Sequence, residues 1–66
     1  MKKSLEYIVK SWVENLDVEP YALDIEEAKA YIEYGYISPD DTDDEITPEK
    51  IVEIWNRSVA ELKEEA

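Results

Sequence analysis

Apolar residues return at helical spacing in two long stretches of the chain and in a shorter one between them. Between positions 5 and 16, Leu5, Ile8, Val9, Trp12, Val13 and Leu16 share one face at the i, i+3, i+4, i+7 interval, while Tyr7, Lys10 and Glu14 fall opposite. Ser4 stands where an N-cap hydroxyl is wanted, and Glu6 precedes Lys10 by one turn, the favourable order for an ion pair along a helix. The spacing predicts a helix over Leu5 to Leu16. Further on, Thr47-Pro48-Glu49 supplies a cap, a proline where no amide donor is needed, and an acid in the first turn. Behind this start, Ile51, Val52, Trp55, Val59 and Leu62 form an apolar arc. Glu49, Glu53, Arg57 and Glu61 lie outside it, the last three as an i, i+4 ladder.

Pro20, in the connector 17–23, disfavours helix at Glu19. Asp24 then caps a second helix, with Glu27 in the reciprocal capping-box position. Ile25, Ala28, Ile32 and Tyr36 are expected on its apolar face, and Glu26, Glu27, Ala30, Glu33 and Tyr34 on the other. Gly35, the one glycine, suits the residue after a helix because positive φ costs it little. Ala30 to Ile37 is also rich in strand formers, so an extended course there is the alternative. Ser38 to Ile46 holds five acids in six positions from Asp40 to Glu45 and is expected to be irregular and mobile. The fold class expected is all-α: a small three-helix bundle, one domain over residues 1–66, with an acidic loop between helices 2 and 3. Its core is expected around Trp12, Ile32 and Trp55.

Charge changes the picture more than composition does. Residues 17–49 hold twelve carboxylates against Lys29 alone, a net of −11, whereas residues 1–16 sum to +1 and residues 50–66 to −1. The ends read as balanced helix and the middle as a concentrated anionic surface. With 66 residues, no cysteine and no histidine, disulfides and the usual zinc ligands are excluded. An apolar fraction of 44% is too high for an acidic disordered tail. Lys2 and Lys3 resemble a signal-peptide start, but Glu6 and Lys10 interrupt the apolar residues behind them, so a cytoplasmic protein is expected. The sequon Asn56-Arg57-Ser58 falls within the last helix, and no glycosylation is expected there.

Most chemistry finds no footing here. Ser4, Ser38 and Ser58 have no histidine to act as base, so an enzyme is not expected, nor is a cofactor. An EF-hand loop fails in both registers: Glu49 at position 12 puts Asp43 where glycine belongs, and Ile46 at position 8 puts Lys50 at position 12. No dedicated metal site is expected. Direct nucleic-acid binding needs a basic face, and the last helix sets Lys50, Arg57 and Lys63 among glutamates. No membrane span is expected either.

The inverse role fits the charge. A rigid acidic surface can fill the basic groove of a protein that handles nucleic acid, because steering works for either anion. Asp40, Asp41, Asp43, Asp44 and Glu45, joined by Asp24, Glu26, Glu27 and Glu33, are the candidate partner-binding acids, with Tyr34 as an exposed aromatic anchor. The expected function is therefore an inhibitor of a basic partner protein, acting as a nucleic-acid mimic of the phage or mobile-element accessory type. The second expectation is a structural or homodimeric scaffold whose acids only confer solubility.

One stretch adds a resemblance. Tyr34-Gly35-Tyr36-Ile37-Ser38-Pro39-Asp40, then Asp43-Asp44, then Thr47-Pro48-Glu49-Lys50-Ile51-Val52 with Trp55 following, resembles the second half of the bacterial DNase-colicin immunity proteins. It covers about a third of the chain. The family's paired tyrosines are split here by Gly35, and one preceding helix is lacking. The resemblance implies an acidic helical bundle whose tyrosine-rich segment binds a basic nuclease.

Overall fold

The computed structural model describes residues 2–65. Three helices, α1 (Leu5–Glu14), α2 (Ile25–Glu33) and α3 (Pro48–Glu65), follow one another in the order the sequence predicts. Each starts at the predicted cap. The Ser4 hydroxyl accepts from the Tyr7 amide at 3.1 Å, the Asp24 carboxylate from the Glu27 amide at 2.8 Å, and the Thr47 hydroxyl from the Lys50 amide at 3.2 Å. The first helix stops at Glu14, two residues short of the apolar pattern, with Asn15 as its C-cap.

α2 settles the ambiguous stretch as helix and turn. Gly35 takes φ +81°, the Tyr36 amide donates to the Tyr31 carbonyl at 2.9 Å, and the Gly35 amide donates to the Ile32 carbonyl at 3.2 Å. These two bonds are a Schellman ending, which satisfies the last carbonyls and turns the chain sharply. The turn overrides the predicted face. Tyr36 leaves the helix and lies on the surface, while Ile37 drops into the core.

α3 is the spine. It packs on α1 and on α2, whereas the backbones of α1 and α2 do not pack on each other among the described residues. The core consists of Leu5, Val9 and Val13 from α1, Ala28 from α2, Ile51, Trp55 and Val59 from α3, and Leu23 and Ile37 from the connecting segments. Trp12 and Ile32, expected at its centre, are half-buried at its margin. α1 has α3 as its one helical neighbour, and Ile8 and Trp12, at the edge of its wide apolar arc, stay partly in contact with water.

Two side chains of α3 stitch the connector down. The Trp55 indole N–H donates to the Tyr21 carbonyl at 2.7 Å. The Asn56 amide accepts from the Leu23 amide at 2.9 Å and donates to the Leu23 carbonyl at 3.3 Å. The sequon asparagine is thus a clamp on the backbone of a segment that has no regular structure of its own. On the other side of α3, Arg57 pairs with Glu6 and Lys10 with Glu61 at 4.0 Å. These pairs run between α1 and α3 rather than along each helix as the ladder spacing suggested. An i, i+4 pair stabilises by only about 0.3–0.5 kcal/mol, so a partner across the seam easily displaces it.

Candidate functional site

The acidic segment after α2 is irregular apart from a short 3-10 turn, Pro39–Asp41, and it is tied to the body of the domain. Thr42, between the acids, is only 3% exposed, and its hydroxyl accepts from the Asp44 amide at 3.1 Å. That bond aims the Asp44 carboxylate at the start of α1, where it accepts from the Leu5 amide at 2.8 Å. Ser4 and Asp44 therefore satisfy two of the unpaired amides at one helix start, where the dipole also favours negative charge. A loop picked out by the sequence for its charge supplies a long-range cap.

The acids singled out from the sequence all remain exposed, but they divide by what they hold. Asp24 caps α2, and the Glu27 side chain does not return the capping-box bond among the described residues. Asp43 lies 3.6 Å from the Lys2 ammonium, Asp44 caps α1, and Glu45 lies 3.7 Å from the Lys50 ammonium. Asp40 and Asp41, together with Glu26, Glu27 and Glu33 on α2, have no cation within ion-pair distance among the described residues. Among those residues no three carboxylates gather as a cation site.

Aromatic side chains accompany these acids, and of them the sequence pattern singled out only Tyr34 for the candidate site. Tyr31, assigned to neither face of α2, is the hub: its ring lies 5.6 Å from Trp12, 5.7 Å from Tyr36 and 5.8 Å from Trp55. Its hydroxyl meets that of Tyr21 at 3.2 Å. Burial pushes the Tyr31 hydroxyl pKa up, and the bond to Tyr21 and the nearby Tyr21, Glu27 and Tyr36 add to the effect. The tyrosine is therefore neutral at any physiological pH. From this hub the aromatic contacts run outward through Tyr36, 53% exposed, to Tyr34, 70% exposed, whose rings are 6.1 Å apart. Gly35 splits the two tyrosines in sequence, and the Schellman turn brings their rings together.

Two open grooves meet at Trp12. One, of about 400 Å³, is lined by Lys2, Lys3, Ile8, Trp12, Tyr36, Asp40 and Asp41. The other, of about 370 Å³, is lined by Ser11, Trp12, Asn15, Leu16 and Asp17. The sequence signal for this face was the breadth of the α1 apolar arc, with Ile8 and Trp12 displaced to one side of Leu5, Val9 and Val13. No helix among the described residues is long and apolar enough to cross a membrane.

No family model, curated protein or solved structure matches this chain. The resemblance to the colicin immunity proteins rests on the residues quoted for it alone.

Proposed function

We propose that this domain is a small acidic protein-binding module that inhibits a basic, nucleic-acid-handling partner by presenting a negatively charged surface to it. The observation that carries the proposal is Tyr34. A ring 70% exposed is held at the capped end of α2 and backed by Tyr36, which lines a groove with the unpaired Asp40 and Asp41, and α2 itself carries the unpaired Glu26, Glu27 and Glu33. Rigid tyrosines of this kind anchor interfaces, and surrounding like charges steer an oppositely charged partner. The internal duties of Asp24, Asp43, Asp44 and Glu45 narrow the proposed contact set to Glu26, Glu27, Glu33, Tyr34, Asp40 and Asp41. Accessory proteins of phages and mobile elements, and immunity proteins, are the biological setting proposed.

The half-buried stripe Ile8, Trp12 and Leu16 favours a second reading, a homodimeric scaffold closed over that face. Two measurements separate them. Pull-down from source-cell lysate, followed by identification and reconstitution of the captured protein, should give a basic partner. Its affinity should fall steeply as salt rises from about 50 to 200 mM, and Tyr34→Ala should raise its off-rate. Indifference to both salt and Tyr34→Ala, together with a melting temperature that climbs with protein concentration, would leave the scaffold as the better account.

A further inference from the structure

We infer that the groove between α1 and the 39–41 turn receives an arginine side chain of the partner, an assignment that rests on the proposal that the partner is basic. The guanidinium would stack on Trp12 and Tyr36 and meet the carboxylates of Asp40 and Asp41. Of the five acids in the loop, these two alone hold neither a cation nor a backbone amide among the described residues, and both line this groove. Trp12 and Tyr36 line it side by side, with centroids 5.8 Å apart and planes 39° from parallel.

The lysines on the rim do not cancel the attraction. Lys2 is turned to Asp43 at 3.6 Å and the Lys3 ammonium sits 4.9 Å from the centre of the Tyr7 ring, so each ammonium group already has a partner other than Asp40 and Asp41. Lys2 and Asp43 neutralise each other, which leaves Asp40 and Asp41 against Lys3. The remaining field is negative. Arginine fits better than lysine because its planar, weakly hydrated group stacks on aromatic faces and bonds carboxylates in pairs. A groove of about 400 Å³ suits one long side chain rather than a folded element.

The probe is N-acetyl-Gly-Arg-Gly amide, titrated into the ¹⁵N-labelled domain beside its lysine and citrulline analogues. The Trp12 indole and the amides of residues 39–41 should shift, while the buried Trp55 indole, bonded to Tyr21, stays still. The lysine analogue should bind several-fold more weakly, the citrulline analogue should not saturate, and Asp40→Asn with Asp41→Asn should weaken the arginine peptide roughly tenfold. Equal binding of arginine and lysine, or shifts confined to Glu26, Glu27, Glu33 and Tyr34, would overturn the groove and leave the acidic-surface proposal standing. Arginine shifts at Trp12 alongside a partner indifferent to salt would overturn that proposal instead.

Discussion

The two tryptophans both lie on their helices' apolar arcs and meet opposite environments. Trp55 is fully buried, its ring touches Tyr21 and Tyr31, and its N–H is satisfied by a backbone carbonyl. Trp12 touches Tyr31 and Tyr36 and keeps part of its ring in water between two grooves. Periodicity selects the face of a helix that turns inward. Depth is decided by how many neighbours the helix has, and α3 has two where α1 has one. The same residue type is therefore a core element on one helix and a surface available for recognition on the other.

The largest test of this contrast is truncation. Trp55→Ala should cost about 3–5 kcal/mol, comparable to the whole stability of a domain this small, so the variant should be unfolded by circular dichroism at room temperature. Trp12→Ala should cost about 1–2 kcal/mol and leave a cooperative, lower melting transition. Equal losses would mean that both rings are core and that the Trp12 grooves are closed in solution.

A smaller effect separates the acids. Asp44→Ala should destabilise by about 1 kcal/mol through the lost cap and speed exchange of the Leu5 amide. Asp40→Asn and Asp41→Asn should hold or slightly raise stability by relieving repulsion, within about 0.5 kcal/mol. Urea titration of the three variants orders them, and a neutral Asp44→Ala would return the whole loop to a solvated role.

The smallest effect is alkaline. The Tyr31 hydroxyl pKa is raised above its ordinary value of 10.0, chiefly by burial, so its contribution is complete below that pH. As pH climbs past about 10 the unfolded chain ionises first, and stability falls. Tyr31→Phe should lack this part of the decline, measured as the difference in urea midpoint between pH 9 and pH 11. A parallel decline in the two proteins would mean that Tyr31 is not desolvated.

What could be read from the sequence was local. Ser4, Asp24, Thr47 and Gly35 act within four residues of themselves, so their chemistry fixes three helix starts and one ending. The placing of Leu5, Val9, Val13, Ile51, Trp55 and Val59 follows from a 3.6-residue period. The errors share a different cause. Asp44 caps an amide 39 positions away, Asn56 clamps a residue 33 positions away, and Arg57 finds Glu6 on another helix. No period or neighbouring residue announces such a partner. Tyr31 escaped because its polar hydroxyl and its position between the two assigned faces of α2 concealed a largely apolar ring. Of the candidate site, the charge and Tyr34 were legible, whereas Tyr36 and the groove that it lines with Trp12 depended on the turn at Gly35.

The central position of α3 also bears on how the chain is made. A ribosome releases α1 and α2 before α3, and these two helices, whose backbones do not pack on each other, have little to fold against while they wait. Isolated helices of 10 and 9 residues are marginal in water. The capping carboxylate of Asp44, the ring of Trp55 and the amide of Asn56 all arrive late in synthesis. Structure should therefore form in one step once α3 has emerged, and nascent chains stalled before Trp55 should be degraded rapidly by proteases.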